Sequence, residues 1–255
     1  MKISVLASGS KGNVSYIETA ETKVLVDLGM NSIYVERELK NINIDPKNID
    51  GIILTHTHSD HINGLRVFVK KYKTKVYLTK RMLEEINKLF ILDNYELIEN
   101  DFSIKDLDIE TINTSHDAPD SKGYIFKSND KRISYITDTG YLNRKYKDKL
   151  SNINLYVMES NHDIKLLQNG RYPYYLKQRI LSDKGHLSNE MCSKYLVDYM
   201  GEKTKTIILI HLSQENNDPE VALTTLKNRL KENNITFDNI IISEQNKQTG
   251  LIEVW

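Results

Sequence analysis

The sequence has a single cysteine and few of the residues that interrupt secondary structure. Its 255 residues include one Cys, four Pro and eleven Gly. The lone Cys192 excludes an intrachain disulfide framework and a zinc site built from several cysteines. No stretch has the composition of a flexible linker, so we expect a single domain that spans residues 1–255.

The sequence also lacks an excess of charge of either sign and any long apolar run. Lys plus Arg and Asp plus Glu both number 35, which gives a formal net charge of zero. A globally basic surface for nucleic acid is therefore excluded, although a local basic patch is not. No run approaches the ~20 apolar residues of a membrane helix, and the first residues predict a strand and its loop rather than a secretory signal. We expect a cytoplasmic enzyme without a membrane segment.

Short runs rich in Val and Ile recur along the chain and predict β-strands. These runs are Ile3–Leu6, Val24–Val26, Ile52–Leu54, Val76–Leu78, Leu107–Ile112, Gly123–Phe126, Ile133–Ile136, Leu155–Met158, Ile207–Ile210 and Leu251–Val254. Helical patterns lie between several of them, at Ile33–Lys40, Leu65–Lys71, Arg81–Leu89, Ser188–Met200 and Pro219–Lys231. Because strand and helix alternate in the C-terminal half, the pattern indicates an α/β fold.

The strongest functional signal is the segment THTHSDH at residues 55–61, directly after an apolar run. Residues two apart in an extended segment point to the same side, so His56 and His58 can share a metal ion. Asp60 and His61 follow where the chain turns toward a helix, and they can face a second ion. Three imidazoles and a carboxylate suit Zn or Mn. The alternative is a histidine-rich surface turn.

An HxHxDH motif after a buried strand resembles the motif of the metallo-β-lactamase fold. The resemblance implies a four-layer αββα sandwich and two divalent metal ions, Zn or Mn, with Fe as a third option. It also implies further ligands, each after a strand-like run. The implied first site is His56, His58 and His116, the second is Asp60, His61 and His211, and Asp138 bridges them. Taken alone, His116 could be a core histidine and Asp138 part of a solvated turn.

Two more residues bear on this resemblance. Asp27, at the end of a predicted strand, resembles the family's buried Asp that hydrogen-bonds a ligand histidine. The resemblance puts Asp138 where β-lactam hydrolases of this fold usually place a cysteine. Cys192 instead lies in a helical pattern with apolar neighbours, which predicts a core residue. β-Lactamase activity is therefore disfavoured.

A second pair of residues points to phosphodiester cleavage, in which the leaving oxygen needs a proton. Glu159 follows a strand-like run, and His186 lies in a Gly-His loop before a predicted helix. The pair resembles that of RNase Z-type nucleases, which implies that Glu159 orients His186 as a general acid. Asp60 is expected to bind metal and to position the attacking group. The alternative is that both Glu159 and His186 lie at the surface.

Five further motifs narrow the resemblance to the YycJ/WalJ family. They are SGSKGN at 8–13, TDTG at 137–140, ESNHD at 159–163, GHLSN at 185–189 and HLSQENN at 211–217. The spacings between the implied ligands leave no room for the arm of RNase Z or the inserted domain of RNase J. The resemblance implies a metal-dependent 5′→3′ exonuclease on DNA that is linked to DNA repair. Asn13 and His162 are candidate substrate contacts, and His162 could equally be a loop histidine.

Two segments could contact nucleic acid. Residues 62–83 contain no acid but seven basic residues, Arg66, Lys70, Lys71, Lys73, Lys75, Lys80 and Arg81. They predict either a phosphate-binding patch or a solvated helix face. Residues 171–179 mix tyrosines with cations. For these tyrosines, packing of a loop on the core is favoured over base stacking.

Other functions use the same ligands. A glyoxalase II-like thioester hydrolase or a small-molecule phosphodiesterase is the enzymatic alternative, and a metal-stabilised binding module is the non-catalytic one. All the implied ligands are present, including Asp60. This argues against the binding module, because a fold that only binds could lose any of them. The sequence leaves the native metal, the preference between DNA and RNA, and the oligomeric state open.

Overall fold

The computed structural model describes residues Met1–Trp255 and contains fourteen β-strands in two sheets. The first sheet holds β1 (Lys2–Ala7), β2 (Val14–Glu18), β3 (Lys23–Val26), β4 (Gly51–Ile53), β5 (Lys75–Leu78), β6 (Tyr95–Leu97) and β14 (Ile252–Glu253). The second holds β7 (Phe102–Ile104), β8 (Leu107–Asn113), β9 (Lys122–Ser128), β10 (Lys131–Ile136), β11 (Leu155–Glu159), β12 (Thr206–Ile210) and β13 (Ile240–Ile242). The strand orders are β14-β1-β2-β3-β4-β5-β6 and β13-β12-β11-β10-β9-β8-β7.

Nine α-helices and two short 3₁₀ turns connect the strands. The helices are α1 (Ser32–Asn41), α2 (Ser59–Ile62), α3 (Leu65–Tyr72), α4 (Lys80–Asn87), α5 (Lys147–Leu150), α6 (Ile164–Asn169), α7 (Tyr174–Leu181), α8 (Asn189–Tyr199) and α9 (Pro219–Glu232). The 3₁₀ turns are Pro46–Asn48 and Arg144–Tyr146. None of the helices combines the length and the apolar character that a membrane crossing requires.

Three hydrophobic layers hold the helices and sheets together. Leu39, Phe68 and Met82, from α1, α3 and α4, pack against the outer face of the first sheet. The inner faces of the two sheets pack on each other, and α8 and α9 cover the outer face of the second sheet. This order of layers confirms the predicted four-layer αββα sandwich. Cys192 lies in the outermost layer at 1% exposure, so its prediction as a core residue is also confirmed.

Parallel strands bring the ends of several elements to one edge of the sandwich. β3, β4 and β5 are parallel in the first sheet, as are β10, β11 and β12 in the second. The central strands are buried on both faces, because helices cover one face and the other sheet covers the second. This is why they read as continuous apolar runs such as TIILI and LYVME. Their carboxyl ends carry the loops that contain the predicted site residues.

The sequence patterns missed several short elements. β6 has no buried residue, and β13 is only half-buried, so neither carries the apolar alternation of a core strand. α7 also has no buried residue. The expectation that the tyrosines of residues 171–179 pack a loop on the core is wrong for two of them. Tyr174 and Tyr175 lie on α7 and are 77% and 74% exposed, because this helix covers no apolar layer.

Tyrosine hydroxyl groups link the two sheets through their shared core. Tyr124 of β9 donates a hydrogen bond of 2.6 Å to the carbonyl oxygen of Leu54, at the end of β4. Tyr135 of β10 and Ser15 of β2 also join their hydroxyl groups at 3.1 Å. The first of these bonds fixes the chain directly before residues 55–61.

We predict that Tyr124→Phe lowers the free energy of unfolding by about 1–3 kcal/mol, because it leaves the buried carbonyl of Leu54 without its donor. Urea-induced unfolding would measure the change. Tyr175→Phe is the matched control, since its exposed hydroxyl should alter stability by less than about 0.5 kcal/mol. Equal effects of the two substitutions would contradict a structural role for the Tyr124 bond.

Candidate active site

The predicted ligand residues converge on one cavity at the carboxyl ends of the parallel strands. His56, His58, Asp60 and His61 follow β4 of the first sheet, whereas His116, Asp138 and His211 follow β8, β10 and β12 of the second. The cavity has a volume of about 240 Å³. It is lined by Ser10, His58, Asp60, His116, Asp138, Asn161, Tyr172, Leu176, Arg179, Ile180, His186, His211 and Ser213.

Three histidines form the first group of donors. Their ligand nitrogens lie within 4.8 Å of one another, and Nδ1 of His58 is 3.2 Å from Nε2 of His116. Nε2 of His56 is buried and has no hydrogen-bond partner. A desolvated nitrogen without a partner is costly unless an ion occupies the space before it. This orphaned nitrogen therefore fits a divalent metal ion.

The second group contains a carboxylate and two histidines. Asp60 Oδ2 lies 3.5 Å from Nε2 of His61 and 3.7 Å from Nε2 of His211. Asp138 lies between the two groups, with Oδ2 3.3 Å from Nε2 of His61 and Oδ1 3.7 Å from Nε2 of His116. The structure thus brings together all seven residues that were expected to bind metal, with Asp138 near residues of both groups. Their roles as ligands stay a prediction.

Carboxylates give the second group a negative environment. Burial alone would lower the pKa of His211, but Asp138, Asp60 and Glu159 outweigh it and raise this pKa to about 10. Burial disfavours the charged form of Asp60, yet the neighbouring imidazoles of His211 and His61 hold its pKa below its usual range. A centre that stabilises extra positive charge to this degree suits a cation.

Asp27 is a buried hydrogen-bond partner of His61 in the second group. Its Oδ2 is 2.7 Å from Nδ1 of His61, and it accepts hydrogen bonds from both the backbone N–H and the hydroxyl of Thr55. An Nδ1–H that donates to Asp27 leaves Nε2 of His61 without a proton, as a metal ligand requires.

Glu159 joins two histidines that line the cavity. Its Oε1 lies 2.8 Å from Nδ1 of His186 and 2.9 Å from Nδ1 of His211, and it is fully buried. Its Oε2 accepts the backbone N–H groups of Thr139 and Leu187. Burial opposes the charged form, but His186 and the hydrogen bonds outweigh it and lower the pKa of Glu159 to about 2. Sequence reasoning predicted the contact with His186 and missed the one with His211.

The two candidate substrate contacts lie behind the cavity wall. Asn13 is 2% exposed, and its Nδ2 is 3.0 Å from Nε2 of His61 and 3.3 Å from Oδ2 of Asp60. His162 is 1% exposed, neither ring nitrogen has a hydrogen-bond partner, and burial lowers its pKa to about 4. Neither side chain lines the cavity. Their contact with substrate stays a prediction, and the bonds of Asn13 favour support of the metal ligands.

Three site residues have an unusual backbone conformation. Asp27, Asp138 and His211 have φ values of 59°, 50° and 57°, in the left-handed region that non-glycine residues rarely adopt. Asp27 and His211 directly follow β3 and β12, and Asp138 lies two residues after the end of β10. Such strain persists only where the surrounding structure enforces it, and it is concentrated at functional sites. No sequence signal predicted it.

The basic residues of 62–83 do not line this cavity. Lys71 pairs with Glu36 and Lys75 with Glu96 on the protein surface. Arg66, Lys70 and Lys73 line a separate groove of about 380 Å³. A DNA contact by this segment stays a prediction.

Comparisons with known proteins agree with this geometry. Residues 22–212 match the beta-lactamase superfamily domain. The chain is 39% identical over 238 residues to the exodeoxyribonuclease WalJ of Streptococcus pneumoniae, a match that covers 91% of this chain and 88% of the relative. It is 38% identical to the exodeoxyribonuclease YycJ of Bacillus anthracis, with 91% and 90% of the two chains covered.

The chain belongs to the WalJ/YycJ family of the beta-lactamase superfamily. It is a metal-dependent hydrolase of a nuclease family, and its clusters of His and Asp are suited to divalent cations. Among solved structures, the metallo-β-lactamase fold protein YhfI from Bacillus subtilis has a TM-score of 0.73 at 15% identity, with 97% and 98% of the two chains covered. That likeness supports the fold of this WalJ/YycJ member.

We predict that Gly29→Ala disturbs the second group of donors. A Cβ at this position would lie 1.7 Å from the carbonyl oxygen of Asp60, so the backbone of Asp60 and His61 must move. We expect a loss of about 1–3 kcal/mol in unfolding free energy. Elemental analysis after dialysis should also show less bound metal. Gly201→Ala is the control, because its Cβ meets only the side chain of Asn152. Normal metal content in Gly29→Ala would contradict the prediction.

Proposed function

We propose that this protein is a two-metal 5′→3′ exonuclease that cleaves phosphodiester bonds of DNA and takes part in DNA repair. The observation that carries the proposal is the cluster of seven donor residues, five of which line one cavity together with His186, whose Nδ1 is held by Glu159. The names of the WalJ and YycJ relatives support DNA as the substrate. The direction of cleavage and the repair role rest on the family resemblance of the motifs.

The proposed metal sites use the two groups of donors. The first site is His56, His58 and His116, the second is Asp60, His61 and His211, and Asp138 is shared. When bound, two divalent ions neutralise charge on the phosphate and lower the pKa of water.

The chain's own residues supply orientation and a proton. Nδ1 of His186 is held by Glu159, so Nε2 is left to face the leaving oxygen from the cavity wall. The buried Glu159 carboxylate fixes the orientation of the imidazole. Asp60 lies at the cavity beside His61 and His211, where its carboxylate can also orient the attacking water.

The size of the cavity limits what can enter. At about 240 Å³ it lies below the roughly 300–1,000 Å³ of typical ligand pockets, which favours a short segment around the scissile phosphate over a length of strand. This supports attack at a strand end. The same observation favours a small-molecule phosphodiesterase as the second candidate. A thioester hydrolase has less support, because a thiolate leaves without the proton that His186 is placed to give.

End-labelled substrates test the proposal. We predict that the protein with Mn²⁺ or Zn²⁺ releases mononucleotides progressively from the 5′ end of DNA labelled at either end. Matched RNA strands determine the preference between the two nucleic acids. Elemental analysis should find two ions per chain. Cleavage of nucleoside cyclic phosphates but of no DNA end would favour the small-molecule candidate, and full activity with one ion would refute the two-metal proposal.

We predict that His186→Ala keeps the metal content but slows DNA cleavage by about 10²–10⁴-fold, the usual contribution of general acid catalysis. The loss should shrink on bis(p-nitrophenyl) phosphate, because p-nitrophenolate departs without a proton. Glu159→Gln should show the same pattern more weakly, since it orients the donor. Equal losses on the two substrates would show that His186 binds or shapes the site rather than donating a proton.

A further inference from the structure

Helix α7 forms one wall of the active-site cavity. Leu176, Arg179 and Ile180 of this helix and the preceding Tyr172 line the cavity, yet no residue of α7 is buried. Ile180 accepts a hydrogen bond of 3.1 Å from the backbone N–H of His186. The helix therefore lies directly beside the proposed proton donor without contributing to a hydrophobic core.

Arg179 is the only lysine or arginine that lines this cavity. Its side chain is 53% exposed, and Nε donates to Oδ2 of Asp117 at 2.5 Å. The two terminal nitrogens, Nη1 and Nη2, have no hydrogen-bond partner in the protein. A planar guanidinium with a free pair of N–H donors matches the geometry of a phosphate group.

Asp117 lies between Arg179 and the first group of donors. The other carboxylate oxygen of Asp117 lies 3.5 Å from Nε2 of His116 and 3.7 Å from Nε2 of His58. One carboxylate therefore connects the guanidinium with two of the proposed metal ligands. This fixes Arg179 to one side of the place where the scissile phosphate would be bound.

We propose that Arg179 binds a second, non-scissile phosphate group of the substrate and that Asp117 is its positioning residue. The inference rests on the proposed function, because a nucleic acid supplies more than one phosphate. In this proposal the metal site binds the scissile phosphate, and the guanidinium of Arg179 binds a neighbouring phosphate of the same substrate. The neighbour is either the terminal phosphate monoester of a strand or the next phosphodiester of the backbone.

The test compares substrates with and without a second phosphate. Arg179→Gln should raise KM for a DNA oligonucleotide by about tenfold to a hundredfold, the range of a lost charged hydrogen bond, with a smaller change in kcat. The loss on bis(p-nitrophenyl) phosphate, which has one phosphate, should be much smaller. Arg179→Lys keeps the positive charge but loses the paired N–H donors of the guanidinium. Its KM should therefore lie between those of the unaltered protein and Arg179→Gln. Asp117→Asn should raise the same KM more weakly.

Two arms and a control complete the experiment. Oligonucleotides with a 5′-phosphate or a 5′-hydroxyl distinguish the two kinds of phosphate. If Arg179 binds a terminal monoester, Arg179→Gln should raise KM only for the oligonucleotide with the 5′-phosphate. If it binds a backbone diester, the substitution should raise KM equally for both oligonucleotides. Arg229→Gln is the control, since this arginine pairs with Glu232 on α9 outside the cavity. It should leave every parameter unchanged.

The outcomes distinguish this inference from the proposed function. Equal losses of Arg179→Gln on the oligonucleotide and on the single-phosphate ester would show that Arg179 only tethers α7 or acts on the scissile group. An unchanged KM for the oligonucleotide would overturn the inference while the nuclease proposal stands. If the unaltered protein cleaves the ester but no nucleic acid, the proposed function fails, and the assignment of Arg179 fails with it.

Discussion

The burial of ionisable groups is the constraint on which the rest of the site depends. Asp27, Asp138 and Glu159 are at most 2% exposed, and water cannot solvate their charge. Such groups are tolerated only when they are paired and hydrogen-bonded. Asp27 is satisfied by Thr55 and His61, Asp138 by the hydroxyl of Thr137, and Glu159 by two backbone N–H groups and two imidazoles. The same hydrogen bonds fix the ring orientations of His61, His186 and His211.

This network crosses the boundary between the sheets. The first sheet supplies four of the donor residues and the second supplies three, so distances within the site depend on how the sheets pack. The bond from Tyr124 to Leu54 holds the end of β4 against the second sheet, immediately before the histidine-rich segment. Catalytic groups must be placed to within a fraction of an ångström, and packed strands hold them better than free loops. The packing of the sandwich core therefore helps to set the distances within the site.

Local sequence patterns predicted the fold class and singled out the residues that the structure brings together at the cavity. Each donor follows an apolar strand, and strand ends are readable because the central strands are buried on both faces. The rest depends on contacts between distant segments. Nothing near Glu159 in sequence indicates that it also holds His211, and nothing near Asp117 indicates Arg179. The exposed α7 carries no apolar stripe, so pattern analysis had no basis on which to find it. The close approach of Gly29 to Asp60 likewise joins segments that are distant in the sequence, and no local pattern indicates it.

The distribution of the donors along the chain has a consequence for synthesis. A nascent chain that has emerged only as far as α8 contains six of the seven proposed ligands and lacks His211, which follows β12. It also lacks the strand that pairs with β11 and holds the carboxyl end of that strand in the sheet. On the proposed ligand set, the site is therefore complete only after most of the polypeptide has been synthesised.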